Sequence, residues 1–532
     1  MASFVEPAAA LETLPVTFGD ALRAQAVARP DAVALRFADR VTTYGALDEQ
    51  VDRVASALLG LGLRKGDRVA YVGKNSDDAI ALTLGAARAG MVFVPIIWRL
   101  APLEVEQILE DSGAAALFVE PAFAATGKAA AERGLAVVWM GEPPTTDGLA
   151  FAAWRDRATA APVMATVDEH DPVLQLYTSG TTGKPKGVLL SHANGIRQRA
   201  NQIAAGVDWL LADPGDTSIV AMPYGHIAGV GIALLGINSG QELIVHAEFD
   251  PGAVIDAVAR HRVRRLFLVP AAIGLMLQHP KAADADFSSI ESMSYGASPI
   301  PLPLLQAAVA RMGCSFVQVY GMTETWGSVV ALPPEDHLPG REHMMAAAGK
   351  AMPGVELKVI DDDGNPLPPG TTGEVAIRSP NNTAGYWNRP EETAKTLIGD
   401  GWLRTGDAGY LDADGYLFLQ DRIKDMIITG AENVYPAEVE SAVFGHSSVA
   451  DVAVIGVPDP KWGEAVKAIV VLKPGAEPDE AGIIAFARER IAGFKCPKSV
   501  DFVPVLPRNP SGKILRRELR EPFWVGQARR VN

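Results

Sequence analysis

The chain has 532 residues, a formal net charge of −15 and 21% charged residues. This length exceeds the size at which one hydrophobic core keeps growing, and the acidic balance argues against a general nucleic-acid surface, which needs basic residues to neutralise phosphates. The 51 glycines and 38 prolines stay below the share typical of disordered chains, so we expect a chain folded nearly throughout.

Two cysteines, Cys314 and Cys496, lie far apart without a partner motif, so we expect neither a disulfide framework nor a zinc site. The first residues show no basic segment ahead of an apolar stretch, so no secretory signal is evident. The longest apolar stretches, such as residues 227–237, fall short of the ~20 residues that a membrane span requires. These features predict a cytoplasmic protein without a transmembrane segment.

From residue 17 to residue 119, helical periods alternate with short β-branched runs. One helical period is marked by Leu47, Val51, Val54 and Leu58. Strands are expected at 68–72, 92–95, 219–222 and 265–269, and helices at 79–89, 194–211 and 251–260. Alternation of this kind predicts mostly parallel sheets covered by helices.

Past residue 340 the sequence becomes rich in turns and strands, which predicts a small β-subdomain. The charged stretch 421–425 then precedes about a hundred residues with their own α+β pattern. The expected fold class is α/β with several subdomains. A large N-terminal domain, residues 1–423, would combine αβ-layered sheets with the β-subdomain, and residues 424–532 would form a small, mobile α+β domain.

Residues 177–187 read Tyr-Thr-Ser-Gly-Thr-Thr-Gly-Lys-Pro-Lys-Gly. The glycines let the backbone curl with its N–H groups inward, the hydroxyls add donors and the lysines add charge, which predicts a polyphosphate cradle. It is not a Walker loop, because the spacing is too short and Pro185 stands where a Ser or Thr is required. A flexible surface turn is the alternative, and the density of donors and cations disfavours it.

Further motifs follow the cradle in a fixed order, at residues 223–226, 295–299, 320–325, 405–407, 421–425 and 510–513. Together they resemble the adenylate-forming superfamily, specifically its acyl-CoA synthetase branch, across nearly the whole chain. The resemblance implies an ATP- and Mg²⁺-dependent carboxylate:CoA ligase that works through an acyl-AMP. It implies a fatty or a bulky aromatic acid as substrate, with coenzyme A as co-substrate and no nucleic-acid partner.

The chemistry explains several of these residues. An anion that attacks the α-phosphate of ATP needs cations and N–H donors placed around the phosphorus. A carboxylate beside phosphates is repulsive unless a cation lies between, so Glu324 is expected to bind Mg²⁺. The resemblance adds Thr323 as a phosphate donor, Tyr320 against the adenine, and Asp407 with Arg422 on the ribose.

The resemblance assigns three sets of residues. The nucleotide set is Thr178, Ser179, Gly180, Thr181, Thr182, Gly183, Lys186, Gly296, Ala297, Ser298, Tyr320, Gly321, Met322, Thr323, Glu324, Asp407, Arg422 and Lys513. The acyl-pocket set is Tyr224, His226, Ala228, Gly229, Gly231, Gly296, Gly321 and Trp326. The catalytic set is Lys186, His226, Glu324 and Lys513.

The C-terminal motif, residues 510–513, is expected to form a tight turn that presents Lys513. By resemblance, this lysine bridges the carboxylate and the α-phosphate during adenylation. The C-terminal domain then swings about a hinge at Lys424, and Gly430 and Ala431 come to line the pantetheine tunnel. The role of His226 stays open between a gate of the acyl tunnel, a contact to the carboxylate and simple packing.

Three alternatives remain. An amino-acid adenylation module for a carrier protein would place an Asp within residues 223–229, where Tyr224, Gly225 and His226 stand instead. A catalytically silent binding homologue is disfavoured by the retained cations and carboxylates of the nucleotide set. A luciferase-like oxygenase would reuse the same adenylate. The oligomeric state is open, with a homodimer as one option, and the sequence does not fix the acid.

Overall fold

The fold is described from a computed structural model. The structure describes residues 15–146, 148–160, 165–178, 185–209, 211–422, 425–429, 432–509 and 512–525. Within these residues the strands form four sheets, and helices lie between and around them.

The strands, in chain order, are β1 (Val33–Phe37), β2 (Arg40–Thr43), β3 (Arg68–Val72), β4 (Val92–Ile96), β5 (Ala114–Val119), β6 (Ala136–Trp139), β7 (Pro172–Thr178), β8 (Lys186–Ser191), β9 (Thr217–Val220), β10 (Glu242–Val245), β11 (Arg265–Leu268), β12 (Ser292–Gly296), β13 (Ser315–Met322), β14 (Gly327–Leu332), β15 (Lys350–Ala351), β16 (Glu356–Ile360), β17 (Gly373–Arg378), β18 (Gly385–Tyr386), β19 (Leu397–Ile398), β20 (Trp402–Leu411), β21 (Leu417–Arg422), β22 (Ile427–Thr429), β23 (Glu432–Val434), β24 (Val449–Asp459), β25 (Gly463–Leu472) and β26 (Ser499–Phe502).

The α-helices, in chain order, are α1 (Phe18–Ala28), α2 (Tyr44–Gly60), α3 (Asp77–Arg88), α4 (Pro102–Ser112), α5 (Ala124–Glu132), α6 (Phe151–Asp156), α7 (His192–Ala204), α8 (Ile227–Asn238), α9 (Pro251–His261), α10 (Pro270–Gln278), α11 (Leu302–Met312), α12 (Pro390–Thr396), α13 (Pro436–Phe444), α14 (Glu480–Arg488) and α15 (Arg516–Trp524). Among the described residues, no helix combines the length and the apolar character that a membrane span requires.

Two large sheets form the body of the N-terminal part. Their strand orders are β15-β14-β13-β12-β11-β9-β10-β1-β2 and β18-β8-β7-β4-β3-β5-β6. The inner pairs, such as β3–β4 and β12–β13, are parallel, and antiparallel pairs lie toward the edges. Every residue of β4 is buried, as expected for a parallel strand covered on both faces. The predicted layers of parallel strands and helices are confirmed.

The helix α2 shows how the sequence determines a local element. Its N-cap residue Thr43 accepts a hydrogen bond from the backbone N–H of Ala46 at 3.3 Å, and this satisfies one of the free donors of the first turn. The apolar residues predicted from helical spacing, including Leu47 and Leu58, are fully buried. The same spacing that predicted the helix therefore places one face against the core.

The remaining two sheets are smaller. One has the order β16-β17-β20-β19, with β21 paired to β20, and it confirms the predicted β-subdomain. The other has the order β23-β22-β25-β24, with β26 paired to β25, and it packs with α13 and α14 into the expected α+β unit. The predicted boundary at residues 423 and 424 lies outside the described residues, so its position stays a prediction.

Two expectations about elements need correction. The polar composition of residues 320–325 predicts a short turn after the apolar run 316–319, but β13 runs on to Met322 because it stays paired with β14 through the partners Met322 and Gly327. The helix expected at 194–211 ends at Ala204, where α7 stops.

Candidate active site

The strands β7 and β8 hold the two ends of the predicted phosphate cradle. They pair antiparallel, and Thr178 lies opposite Lys186 in the register. The cradle residues between them, 179–184, lie outside the described residues. A Cβ at Gly187 would lie 2.7 Å from Nε2 of Gln175, so a glycine is needed beside the start of β8. The cradle therefore joins two paired strands.

Glu324 lies in a short 3₁₀ turn that follows β13. Its side chain is only 5% exposed, which excludes the solvated surface turn that the hexapeptide alone would favour. The hydroxyl of Tyr386 donates to Oε1 of Glu324 at 2.9 Å, and the backbone N–H of Thr383 donates to the Glu324 carbonyl at 2.7 Å. The carboxylate is thus fixed by a neighbouring segment of chain.

That segment, residues 383–387, connects Glu324 to the cradle, and we call it the bridging segment. Its strand β18 pairs with β8, with Tyr386 opposite Val188. The ammonium group of Lys186 lies 5.1 Å from the centroid of the Tyr386 ring, within the range of a cation–π contact. Burial and the Glu324 carboxylate both raise the pKa of Tyr386, so its hydroxyl stays a donor. Sequence reasoning missed Tyr386.

The residues predicted to bind the ribose and the adenine lie close together. The hydroxyl of Tyr320 donates to Oδ2 of Asp407 at 2.7 Å. Asp407 lies in β20, and the pairing of β20 with β21 puts its backbone opposite that of Arg422. Three residues predicted from three separate motifs therefore share one corner of the molecule.

Two of the predicted adenine-site residues must be glycines, because the neighbouring strands leave no space for a Cβ. A Cβ at Gly296 would lie 2.1 Å from the Val319 carbonyl oxygen, and one at Gly321 would lie 1.6 Å from the Gly327 carbonyl oxygen. The next residue, Ala297, has a φ of +69°, a left-handed conformation that non-glycine residues rarely adopt. Backbone strain of this kind clusters at functional sites, and here it lies in the predicted adenine segment.

His226 and Lys513, from the two parts of the chain, lie close enough for the lysine charge to act on the imidazole. His226 caps α8, and its Nε2 atom is buried without a hydrogen-bond partner among the described residues. The Lys513 turn is closed by the Asn509 N–H, which donates to the Lys513 carbonyl at 2.8 Å. A Cβ at Gly512 would lie 3.5 Å from Cγ2 of Val269, so this turn contacts the N-terminal part. Burial, with the nearby Lys513 charge, lowers the pKa of His226 to about 4.

The predicted acyl-pocket residues differ in their surroundings. Tyr224 is a correction: its ring is buried in the core against Phe93, and its hydroxyl is bonded to Thr83 at 2.9 Å, so it does not line a pocket. Gly229 opens no space, because a Cβ there would lie 2.2 Å from the Pro223 carbonyl oxygen.

The other pocket residues lie along the start of α8. Ala228 packs against the hydrophobic cluster that contains Met222 and Val269. On another side of the helix, a Cβ at Gly231 would lie 3.9 Å from Nε1 of Trp326. Trp326 and Gly231, both predicted pocket residues, therefore lie close together in the structure.

Three predicted residues, Lys424, Gly430 and Ala431, lie outside the described residues. Thr429 and Glu432 flank the last two and pair with each other at the end of the β22–β23 hairpin. Of the residues that the structure describes, no group of three or more His, Cys, Asp or Glu side chains could hold a metal ion. A metal at this site would depend on phosphate oxygens as well as on Glu324.

Two family models match the chain. One, described as AMP-binding enzyme, matches residues 22–387, and the other, described as AMP-binding enzyme C-terminal domain, matches residues 438–513. The chain belongs to the AMP-binding enzyme family. It is therefore a member of the adenylate-forming superfamily, as the motifs predicted.

Similar proteins of the AMP-binding enzyme family cover nearly the same length. A fatty acid–[acyl-carrier-protein] ligase, ScoC, from Streptomyces coeruleorubidus is 42% identical over 94% of this chain and 96% of its own. A feruloyl-CoA synthase from an Amycolatopsis species is 40% identical over 93% of this chain and 96% of its own. The solved anthranilate CoA ligase AuaEII, in complex with anthranoyl-AMP, aligns with a TM-score of 0.88 and 28% identity over 97% of this chain and 98% of its own.

Proposed function

We propose that this AMP-binding enzyme is an ATP- and Mg²⁺-dependent ligase that joins a carboxylic acid to the thiol of coenzyme A through an acyl-AMP. The observation that carries the proposal is the approach of the Lys513 turn to Val269, which brings the charge of a C-terminal lysine into the electrostatic environment of His226. A lysine from a second domain supplies charge that can be withdrawn after the first step.

In the first step, a carboxylate oxygen attacks the α-phosphorus and the bond to pyrophosphate breaks. Lys513 would stabilise the negative charge that develops between the carboxylate and the α-phosphate. Lys186, at the start of β8, and the cradle would hold the β- and γ-phosphates as the leaving group. Tyr320 and Asp407, already hydrogen-bonded to each other, would orient the adenosine.

Mg²⁺ fits the donor chemistry of the site. The ion prefers oxygen ligands and commonly binds through one or two carboxylates together with substrate phosphates. Glu324 offers one buried carboxylate, held in place by Tyr386. When bound, Mg²⁺ would supply positive charge between Glu324 and the phosphates.

In the second step, the thiol attacks the acyl carbon and AMP leaves. By resemblance, Gly430 and Ala431 would lie against the pantetheine arm, and Lys424 would be the hinge. Both roles remain proposals. A cytoplasmic location is supported by the free cysteines Cys314 and Cys496, which suit a reducing compartment. A homodimer is a further proposal, and light scattering of the purified protein would test it.

The names of the relatives support a fatty or an aromatic acid as substrate. They also favour one second candidate function. The relative with 42% identity is named for a carrier protein, so the thiol acceptor could be a phosphopantetheinyl carrier protein instead of free coenzyme A.

A panel of fatty, aromatic and branched acids tests the proposal. Pyrophosphate release without thiol reports adenylation, and AMP release with coenzyme A or with a loaded carrier protein reports thioester formation. We expect AMP release with coenzyme A for at least one acid. Release with the carrier protein alone would favour the second candidate, and activation of amino acids alone would contradict both.

A further inference from the structure

The indole N–H of Trp326 is a buried donor that no described residue satisfies. Trp326 is 2% exposed, and its Nε1 atom has no hydrogen-bond partner among the residues that the structure describes. Buried N–H groups are almost always paired in folded proteins, because an unpaired one loses its bond to water without replacement. An unpaired donor beside a substrate site therefore points to a ligand atom as its partner.

The ring of Trp326 is held firmly by its neighbours. The residue has a φ of +54°, a left-handed conformation that non-glycine residues rarely adopt. Its ring stacks on Phe18 of α1, with centroids 5.4 Å apart and planes 13° apart. It also packs on α7 at Gly195, where a Cβ would lie 2.6 Å from Cε2 of the indole. Stacking on one face and close packing at the Cε2 edge leave the ring little freedom to turn.

The Nε1 atom lies near the first turns of α8. A Cβ at Gly231 would lie 3.9 Å from Nε1 and 3.0 Å from Cδ1 of Ile227. Gly327, next to Trp326, also lies near Ile227, since a Cβ there would lie 3.8 Å from its Cγ1. Two glycines and the flexible side chain of Ile227 therefore lie on this side of the indole, where a ligand atom would approach Nε1.

The helix α8 connects the surroundings of the indole with the place where the carboxylate of the acid is expected. His226, beside Lys513, stands at the start of α8, and Gly231 follows five residues later, about 8 Å along the helix axis. An acid with its carboxylate at His226 and its body along α8 would bring an atom about 8 Å away to the indole.

We propose that Trp326 Nε1 donates a hydrogen bond to a neutral acceptor atom on the acid substrate, an ether, hydroxyl or carbonyl oxygen about 8 Å from its carboxyl carbon. The inference rests on the ligase function proposed above and narrows its substrate class. The acceptor is neutral, because a buried anion would need a compensating cation and the indole supplies none. Acids with an apolar group at that position would leave the N–H unpaired and would be poorer substrates.

Two acids of the same shape test the proposal, para-methoxyphenylpropanoate and para-ethylphenylpropanoate. The methoxy oxygen replaces a methylene group at the position that the indole would reach. We expect the wild-type protein to use the methoxy acid with a kcat/KM for pyrophosphate release about 10-fold higher or more. In Trp326→Phe, which removes the N–H and keeps an aromatic ring, the two values should become equal.

Controls separate this result from general damage. Trp154→Phe makes the same replacement at another buried indole, which packs on Phe118 with centroids 5.1 Å apart. This variant should keep the preference for the methoxy acid. Trp326→Met provides a second variant without the donor if the Phe variant does not fold, and thermal melting reports folding of each.

Equal use of the two acids by the wild-type protein, or an unchanged preference in a folded Trp326 variant, would overturn the assignment. So would a protein that activates only apolar acids in the wider panel. If no acid at all releases pyrophosphate, the ligase proposal itself fails, and the acid panel shows this separately.

Discussion

At the scale of single residues, Lys513 is the one whose ammonium group we propose to stabilise the charge that develops during adenylation. Lys513→Ala is expected to lower acid-dependent pyrophosphate release by about 10²-fold, by analogy with the removal of one transition-state donor. Lys473→Ala removes an exposed lysine just after β25 and serves as the matched control. Near-normal pyrophosphate release by the Lys513 variant would contradict the role.

His226 gives a pH-dependent prediction about stability. Burial and the Lys513 charge lower its pKa from 6.5 to about 4 in the folded protein. Between these values the unfolded chain takes up a proton that the folded chain does not bind, so the free energy of unfolding decreases as pH falls from 6.5 toward 4. Above pH 6.5 the group is neutral in both states, and its effect disappears.

Urea unfolding at pH 7 and pH 5 measures this difference. We expect His226→Gln to lose less stability over that range than the wild-type protein, because the variant has no imidazole to protonate in the unfolded state. His192 is also buried, with its pKa lowered to about 4, so its intact contribution remains in both proteins. An identical loss in the wild-type protein and in the variant would rule out the shifted pKa of His226.

Side-chain direction is the property that the sequence predicted least well. The motif at 223–226 predicted both His226 and Tyr224 as pocket residues, but the ring of Tyr224 packs into the core. Adjacent residues in a loop point to different sides, and only the backbone conformation decides which. For the same reason the burial of Glu324 could not be read from its own hexapeptide.

At the scale of elements, the two-residue strand β18 positions a side chain of the proposed site. By pairing with β8 it holds Tyr386 between Lys186 and Glu324. Tyr386 acts through Glu324, so we regard it as a positioning residue. Tyr386→Phe should lower pyrophosphate release by about 10-fold and raise the Mg²⁺ concentration needed for half-maximal rate, because the carboxylate loses a charge-assisted hydrogen bond.

Tyr416→Phe is the matched control for Tyr386→Phe. The Tyr416 hydroxyl donates to the carboxylate of Asp336 at 2.9 Å, the same kind of bond in a different part of the molecule. We expect this control to leave the Mg²⁺ dependence unchanged. A Tyr386 variant whose loss of rate does not respond to Mg²⁺ would indicate a purely structural role.

Elements with strong periodicity were predictable from the sequence. The strands and side chains that pair with them across the fold were not. Helical spacing over residues 47–58 predicted a helix within α2, and the strand expected at 92–95 matches β4 to within one residue. The extension of β13 to Met322 was missed because its cause is the pairing with β14, which local composition does not encode. Tyr386 was missed for a similar reason, since its bond to Glu324 spans 62 residues.

At the scale of the whole molecule, the proposed site is divided between two parts of the chain. Lys186, Glu324 and Asp407 belong to the N-terminal part, and Lys513 comes from the C-terminal part, where the neighbouring Gly512 approaches Val269. This approach lies in a turn. An arrangement of this kind can be broken without unfolding either part, which suits a lysine needed in only one of two steps.

Lys424→Pro is expected to separate the two half-reactions. A proline would restrict backbone rotation at the proposed hinge, so that the arrangement with Lys513 at the site persists and the later one is not reached. Pyrophosphate release should stay within about 3-fold of wild type, whereas thioester formation from preformed acyl-AMP should fall by about 10²-fold. Lys424→Ala, which changes the side chain without restricting the backbone, should retain both activities. An equal loss of both half-reactions in the proline variant would contradict the hinge.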